Sequence, residues 1–371
     1  MKKLLTSESV CEGHPDKLCD KIADTILDEY LKQDENSRVA CEVAAGKNII
    51  FITGEITSKA KVDIEKTTRK VIKEIGYQEE DINYKTCKII ENISKQSEDI
   101  NLGTNDKTGG AGDQGLMFGF ACDETEELLP LGQVLVNNLA KKLDEVRKKG
   151  IIQDIGPDGK TQITVEYNEK DEVERIDTIV ISKQHRKEKD LGELKKEIQK
   201  EVIEKVIPKK YIDKKTKIYI NPTGRFIVGG PMGDSGLTGR KIIVDTYGGY
   251  ARHGGGSFSG KDGTKVDRSA TYMARHIAKN IVANHLAKKC EIQLSYVIGK
   301  KENIAIYINT YQTNAIKEEE IIKIIEKNFD LTPQGIIKYL KLKNPIYKKT
   351  TNYGHFGKKE LEWEKIIKLQ I

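Results

Sequence analysis

The chain has 371 residues, more than one hydrophobic core usually supports, so two or three domains are expected. Its 63 basic and 57 acidic residues interleave and leave a net charge of +6, which argues against nucleic-acid binding and suits an anionic substrate. The sequence contains neither a transmembrane run nor a secretory signal, and its six cysteines form no Cys-x-x-Cys pair. We therefore expect a cytoplasmic protein without a membrane partner or a cysteine-ligated metal.

Hydrophobic periodicity predicts the same kind of element order in each third of the chain. The first third has helical spacing at 15–32 and 59–75 and β-type stretches at 39–43, 49–56 and 88–93. The middle third has helices at 131–149 and 191–206 and strands at 117–121, 163–167 and 175–182. The last third has strands at 217–220, 241–245, 293–298 and 304–310 and helices at 267–289 and 317–341, with a break near Pro333. We therefore predict an α+β protein of three similar mixed units, each with helices on one face of a sheet.

Two glycine-rich, polar segments, 97–115 and 208–236, are the candidate boundaries between these units. They predict domains at 1–100, 110–228 and 229–371, with a loop at about 96–109 between the first two. Since no sequence repeat accompanies the recurring element order, the similarity of the units is inferred from that order alone.

Three glycine-rich loops lie almost end to end between residues 221 and 267. They read Asn-Pro-Thr-Gly-Arg-Phe at 221–226, Gly-Gly-Pro-Met-Gly-Asp-Ser-Gly-Leu-Thr-Gly-Arg-Lys at 229–241 and Gly-Gly-Gly-Ser-Phe-Ser-Gly-Lys-Asp at 254–262. Glycine lets backbone amides approach an anion closely. The charged residues in and beside the loops are Arg225, Asp234, Arg240, Lys241, Lys261, Lys265 and Asp267. This composition predicts a site for a polyphosphate and a metal ion.

Two other glycine motifs fit better-known nucleotide sites only in part. Residues 110–115 match G-x-G-x-x-G, but they follow a polar loop and lead into a predicted strand, which argues against a dinucleotide fold. Residues 255–261 resemble a Walker A loop, but Asp262 stands where a Ser or Thr should bind magnesium, and Gly263 stops a helix from starting.

The segment Glu-Gly-His-Pro-Asp-Lys at 12–17 opens the first predicted helix, and its Pro15 and Asp16 are also ordinary helix-capping features. Further segments of interest are the residues just before it, Ser-Glu-Ser-Val-Cys at 7–11, then Gly-Glu-Ile-Thr at 54–57, Lys-Gln-Ser at 95–97, and the stretches 110–115, 221–241 and 254–267. Taken together, these segments resemble the S-adenosylmethionine synthetase family. The match reaches Trp363 and runs without a gap from Asn221 to about Asp267.

The resemblance implies three units of β-α-β-β-α-β type around a pseudo-threefold axis and an enzyme that joins ATP to L-methionine. In this family the methionine sulfur attacks C5′ of ATP, and the expelled triphosphate is hydrolysed to diphosphate and phosphate. A thioether is a weak nucleophile and triphosphate leaves badly, so preorganised cations and metal ions must carry the reaction. The resemblance further implies Mg²⁺, two ions per site, K⁺, and a homodimer with shared active sites that pairs into a dimer of dimers.

The resemblance also assigns roles to residues. His14 is expected at the oxygen that bridges C5′ and the triphosphate, where nearby phosphates would raise its pKa. The implied catalytic residues are His14, Lys160, Arg240, Lys241, Lys261 and Lys265. The implied ATP contacts are His14, Asp158, Gly159, Lys160, Arg225, Phe226, Asp234, Arg240, Lys241, Ser257 and Lys261. The implied methionine contacts are Glu55, Gln96, Asp234 and Lys265, and Asp113 is a further active-site acid. The implied metal ligands are Asp16 and Asp267 for Mg²⁺ and Glu42 for K⁺.

Two further expectations concern motion and assembly. Residues 96–106 resemble the family's mobile gate, with glycines at 103, 109 and 110 as hinges, and the stretch looks shorter than in bacterial relatives. In the shared site, one chain is expected to supply His14, Lys261 and Lys265, and its partner Asp234, Arg240 and Lys241.

Two rival functions are weighed against this one. An inactive relative that acts as a regulatory subunit or polyanion-binding module is disfavoured, since His14 and both metal acids are present. A different ATP-dependent enzyme, such as a phosphotransferase, would be distinguished by its products. Ser257 and Ser235 replace an alanine and a cysteine of some relatives, and neither change removes a charged group.

Overall fold

A computed structural model describes residues 3–95 and 110–371, which form a mixed α/β fold. In chain order the elements are β1 (Lys3–Val10), α1 (Pro15–Gln33), β2 (Arg38–Gly46), β3 (Ile49–Thr57), α2 (Ile64–Ile75), β4 (Lys88–Ser94), β5 (Gly115–Cys122), α3 (Leu131–Lys148), β6 (Ile155–Tyr167), β7 (Val173–His185), α4 (Leu191–Ile198), β8 (Lys217–Ile220), β9 (Gly236–Leu237), α5 (Ile242–Asp245), α6 (Val266–Ala283), β10 (Lys289–Tyr296), β11 (Ala305–Asn309), α7 (Glu318–Asn328) and α8 (Pro333–Tyr339). A π-helical turn at Gln199–Ile203 and a last turn at Glu204–Val206 extend α4. No helix within these two ranges is long and apolar enough to cross a membrane.

Most predicted helices and strands are confirmed with shifted ends, but two segments differ from the prediction. The apolar run 241–245, predicted as a strand, forms the short helix α5. A short apolar run has no diagnostic period, and here Asp245 is held by an ion pair with Lys17 of α1. The sequence does not predict β1, because polar Thr6, Ser7 and Glu8 obscure the alternation of a strand.

Two predicted helices are shorter than their apolar spacing indicates. The helix predicted at 59–75 begins only at Ile64, because the Asp63 side chain accepts the N–H of Lys66 and caps it. The helix predicted at 267–289 ends at Ala283, since His285 adopts a left-handed backbone with φ 60°. The following residues then enter β10.

The strands form three sheets in the described residues, in the orders β1-β6-β7-β8, β4-β3-β2-β9 and β11-β10-β5. Each sheet combines strands that are distant in sequence: β1 pairs antiparallel with β6, β9 with β2, and β5 with β10. The predicted fold class, three mixed α/β units, is confirmed. The contiguous domain ranges 1–100, 110–228 and 229–371 stay a prediction.

Each sheet has its own hydrophobic core beneath a helix. Helix α3 packs on β6 and β1, α1 packs on β2 and against α2, and α6 packs on β5 and β10. Helix α1 also contacts β9 and the turn Lys348–Thr350. Because α1 contacts elements from distant parts of the chain, it can hold loops from each of them.

Candidate active site

His14 is the N-cap residue of α1, and its position fixes which ring nitrogen carries the proton. Its backbone is extended at φ −64° and ψ 135°, and its Nδ1 accepts the N–H of Asp16 at 3.2 Å. Because Nδ1 is an acceptor, the proton of the neutral ring lies on Nε2, which is free to donate. Burial, and next the charge of Lys241, lower the His14 pKa to about 3. The ring is therefore a neutral donor, and the direction of the shift is opposite to that expected for a histidine beside phosphates alone.

Asp16 connects α1 to the loop 229–241. Its Oδ1 accepts the N–H of Leu237 at 3.0 Å, and its Oδ2 lies 2.5 Å from Nζ of Lys241. Arg240 Nη1 lies 3.8 Å from Oδ1. Burial pushes the Asp16 pKa upward, but the hydrogen bonds from Lys241 and Leu237 outweigh burial and hold the pKa below its usual value. The carboxylate is therefore ionised beside two cations.

Lys160 belongs to the same neighbourhood. It lies on β6 opposite Val10, its side chain is exposed, and its charge is one of those that lower the His14 pKa. We refer to His14, Asp16, Lys160, Arg240 and Lys241 as the histidine group. All five are predicted site residues of one chain.

The histidine group bears on the expected division of the site between two chains. His14 was assigned to one chain and Arg240 and Lys241 to its partner. Instead, Asp16, two residues after His14, is ion-paired to Lys241 of the same chain. Sequence segments do not reveal this contact, which arises because β9, just before Arg240 and Lys241, joins the sheet on which α1 packs. The division of the site between two chains stays a prediction.

A second cluster, Lys261, Asp267 and Glu42, lies near the same sheet. Lys261 Nζ is 2.7 Å from Asp267 Oδ2, and these two side chains are 20% and 23% exposed. Lys261 bridges to Ala40 of β2, which is paired with Glu55 of β3. Burial raises the pKa of Glu42, and the charge of Lys261 opposes part of that shift. We call these three residues the aspartate group.

Lys265 is engaged differently from the other predicted cations. Its Nζ lies 2.6 Å from Oδ2 of Asp262, a buried residue that also accepts the N–H of Val39 at 2.6 Å. Lys265 is thus held by the loop that precedes α6.

Close packing explains two glycines of the loops. A Cβ atom on Gly256 would lie 2.4 Å from Oδ1 of Asp267, so only glycine allows the backbone to cover this carboxylate. Gly239 has φ +76°, and its Cβ would lie 2.6 Å from Cβ of Ser257. The loops 229–241 and 254–262 therefore touch each other between the two groups.

The predicted nucleotide contacts lie around these loops. Asp158 is 7% exposed, its Oδ2 accepts the N–H of Gly230 at 2.9 Å, and burial raises its pKa to about 6. Gly159 is buried beside it on β6. Arg225 is exposed, and Phe226 is fixed through its N–H, which donates to His185 Nε2 at 3.1 Å.

The remaining predicted acids are solvent-facing. Asp234 and Glu55 are exposed, and Asp113 is exposed with its Oδ1 accepting the N–H of Gln114 at 2.7 Å. The segment of Asp113 approaches the loop before α6, since a Cβ on Gly112 would lie 3.4 Å from the carbonyl oxygen of Thr264. Gln96 and the proposed gate at 96–109 lie outside the described residues.

The donor set fits a metal ion that is shared with phosphate. Among residues 3–95 and 110–371, no group of three or more His, Cys, Asp or Glu side chains could hold a metal ion. Asp16 and Asp267 each offer hard carboxylate oxygens, and Mg²⁺ is commonly bound by one or two carboxylates together with substrate phosphates. The chain thus fits Mg²⁺ only in combination with a phosphate ligand.

Sequence reasoning missed the buried charges that support this site. Asp20, Asp24 and Arg268 are 0% exposed and hold loop backbone or one another. The signal was the four-residue spacing of aspartates in α1, which places acids on one helix face.

Comparison with known proteins agrees with the motifs along the whole chain. Three family models match in order: S-adenosylmethionine synthetase, N-terminal domain, at 2–98, its central domain at 108–226 and its C-terminal domain at 228–365. Proteins named S-adenosylmethionine synthase from two strains of Staphylococcus epidermidis are each 53% identical over 387 aligned residues. Those alignments cover 100% of this chain and 97% of each relative. The chain belongs to the S-adenosylmethionine synthetase family.

Proposed function

We propose that this protein makes S-adenosylmethionine from ATP and L-methionine and then hydrolyses the released triphosphate to diphosphate and phosphate. A lone pair of the methionine sulfur forms the bond to C5′, and the C5′–O bond breaks with its electron pair left on the triphosphate. Water then cleaves the triphosphate. Membership of the family supports the overall reaction.

The observation that carries the proposal is the histidine group. A neutral His14 with its proton on Nε2 can donate to the departing oxygen, while Lys160, Arg240 and Lys241 supply positive charge beside it. Such preorganised charge stabilises a leaving triphosphate without reorganisation of solvent.

Roles for the other predicted residues are part of the proposal. The nucleotide contacts are proposed to be Asp158, Gly159, Arg225, Phe226, Asp234, Ser257 and Lys261. The methionine contacts are proposed to be Glu55, Gln96, Asp234 and Lys265, with Asp113 as a further acid. Closure of the segment 96–109 would exclude water during sulfonium formation.

Asp16 and Asp267 are the proposed ligands of Mg²⁺, with two ions per site, and Glu42 that of K⁺. Bound Mg²⁺ would neutralise charge on the triphosphate oxygens. In the structure Asp16 is paired with Lys241, and Asp267 is paired with Lys261. Incoming phosphates compete for Lys241 and Lys261, so substrate binding makes the two carboxylates available.

A homodimer with shared active sites, paired into a dimer of dimers, completes the proposal. A row of exposed apolar side chains supports an interface on one face of the sheet β4-β3-β2-β9. Phe51 is paired with Ala44, and Ala44 is paired with Leu237. Phe51 and Leu237 are 38% and 43% exposed, and such apolar surface is usually covered by a partner. Glu42 lies on the same face as Ala44, two residues away.

The six cysteines are free and buried, which fits a reducing cytoplasm.

The central test is mass spectrometry of purified protein incubated with ATP, methionine, magnesium and potassium. S-adenosylmethionine, diphosphate and phosphate are the expected products, and chelation of magnesium should abolish them. Absence of S-adenosylmethionine would overturn the proposal, and transfer of the γ-phosphoryl group to an acceptor would favour a phosphotransferase.

Mixed dimers test the shared site with a pair of variants drawn from the histidine group and the aspartate group. We expect His14→Asn and Lys261→Met, each nearly inactive alone, to give about half of wild-type turnover in isolated mixed dimers, because one of two equivalent sites receives both lesions. The pair His14→Asn and Lys241→Met is the matched control. Both residues belong to the histidine group of one chain, so each site keeps one lesion and activity stays low. Equal inactivity of both mixed dimers would place each site within a single chain.

A further inference from the structure

Four aspartates recur at every fourth position of α1: Asp16, Asp20, Asp24 and Asp28. They are 2%, 0%, 0% and 6% exposed. Residues four apart lie above one another on one face of a helix. A buried row of carboxylates is unfavourable unless each finds hydrogen-bond donors. We call this row the aspartate ladder.

Each carboxylate of the aspartate ladder accepts backbone N–H groups from a different place in the chain. Asp16 accepts a hydrogen bond from the N–H of Leu237 at 3.0 Å, and Asp20 accepts one from the N–H of Gly239 at 2.9 Å. Asp24 accepts Gly260 at 2.9 Å. Asp28 accepts Tyr347 and Lys348 at 2.9 and 2.8 Å. The first three hold the glycine-rich loops 229–241 and 254–262, and the fourth holds a segment outside them.

Asp20 fixes the backbone on the N-terminal side of Arg240 and Lys241. Its Oδ2 lies 3.0 Å from Nζ of Lys17, and the same Nζ donates to Asp245, the last residue of α5. The loop is therefore tied to α1 before Arg240, through Gly239, and after Lys241, through Asp245.

Asp24 fixes the backbone beside Lys261. Its two oxygens accept Nη1 and Nη2 of Arg268, each at 2.7 Å. Arg268 Nη1 also donates to the carbonyl oxygens of Phe258 and Lys261, at 2.9 and 3.0 Å. The Asp24–Arg268 pair therefore holds both ends of the 258–261 turn.

We propose that Asp20 and Asp24 are positioning residues for the reaction, a proposal that rests on the proposed function. They hold the Gly239 and Gly260 amides at fixed heights along α1, four residues or about 6 Å apart. Arg240 and Lys241 thereby face the triphosphate of one shared site, and Lys261 that of the other, from a rigid backbone. A displacement of about 1 Å in such groups lowers rates on the order of 10²-fold.

The test compares Asp20→Ala with Asp28→Ala, a matched control on the same face of the same helix. Hydrogen exchange measured by mass spectrometry reports each loop without any need for activity. Asp20→Ala should speed exchange at 236–241 and lower kcat on the order of 10²-fold, with a smaller change in KM for methionine. Asp28→Ala should speed exchange near 347–348 and leave kcat unchanged.

Two more variants separate positioning from general destabilisation. Asp20→Asn keeps an acceptor oxygen for Gly239 and should restore most of kcat. Asp24→Asn removes the charge opposite Arg268 and should speed exchange at 258–261 rather than at 236–241. If Asp20→Ala does not fold, Asp20→Ser, which cannot reach Gly239 as a carboxylate does, replaces it.

The outcomes are distinct from those that test the reaction itself. Unchanged exchange at 236–241 in Asp20→Ala, or an equal loss of kcat in Asp28→Ala, would overturn the positioning role. If wild-type protein forms no S-adenosylmethionine, the proposed function fails, while the exchange pattern still decides whether the ladder holds the loops.

Discussion

Ion pairs at the candidate site differ in geometry from those in the cores. The site pairs, Lys241–Asp16 and Lys261–Asp267, each join one ammonium to one carboxylate oxygen, and their lysines are 16% and 20% exposed. The core pairs, Arg268–Asp24 and Arg275–Glu364, use two guanidinium nitrogens each and are 0% exposed. Lysine is a flexible point charge, whereas arginine forms a rigid two-pronged contact.

This difference separates charges that can change partners from charges that cannot. A partly exposed lysine can leave its carboxylate for a phosphate at little cost, since water and the new anion replace the contact. A buried arginine that loses its carboxylate is left as an uncompensated charge. Site pairs should therefore act on catalysis directly, and core pairs should act on stability and on the backbone that carries the site.

The largest expected effect is on His14, which lies beside the Lys241–Asp16 pair. His14→Asn removes the Nε2 donor and should lower S-adenosylmethionine formation by roughly 10²- to 10⁴-fold, the range for a positioned acid or donor. Hydrolysis of added triphosphate should be spared, because that step does not involve the C5′ oxygen. Steady-state rates of both steps check this. Equal loss of both activities would mean that His14 binds phosphate generally or holds the fold.

The next effect concerns a core pair. Glu364 also contacts Lys279 Nζ at 2.7 Å, so Glu364→Gln leaves two buried cations without a counter-charge. We expect the free energy of unfolding to fall by about 3–5 kcal/mol, with kcat unchanged in the folded fraction. Glu362→Gln is the control. It removes only contacts to exposed Lys341 and Lys365, so a loss of about 0–1 kcal/mol is expected in denaturant titrations.

The sequence predicted which residue types form the site better than it predicted the contacts that hold them together. The loops 229–241 and 254–262 and the start of α1 are recognisable because glycines, cations and capping residues act locally. The pairing of β1 with β6 and the contact of Asp16 with Lys241 depend on residues at least 150 positions apart. Asp20 and Asp24 look like ordinary helix charges until the fold buries them. Local patterns carry no information about such long-range partners.

Lys241→Met tests a site pair. Loss of one preorganised cation should lower S-adenosylmethionine formation by about 10²- to 10³-fold. The free energy of unfolding should fall by less than in Glu364→Gln, since the Asp16 carboxylate keeps the Leu237 N–H and has Arg240 at 3.8 Å. The His14 pKa, now lowered by burial and by Lys241 to about 3, should rise in NMR titrations. Lys189→Met, which breaks the remote Lys189–Glu197 pair, should leave rate and His14 pKa unchanged. If Lys241→Met lowers the free energy of unfolding as much as Glu364→Gln does, site pairs and core pairs do not differ in their contribution to stability.

The smallest expected effect concerns Glu42, whose carboxylate faces Lys261 without a direct ion pair in the described residues. Burial raises its pKa, so a bound cation would stabilise the ionised form. Potassium should stimulate the wild-type rate severalfold over sodium, and Glu42→Gln should abolish that difference while keeping most of the basal rate. Glu91→Gln, on β4 of the same sheet and with a pKa also raised by burial, is the matched control and should keep the potassium response. Initial rates in potassium and sodium chloride at equal ionic strength measure the ratio. If Glu42→Gln responds to potassium as wild type does, the ion acts elsewhere, and Glu42 serves only to balance the charge of Lys261.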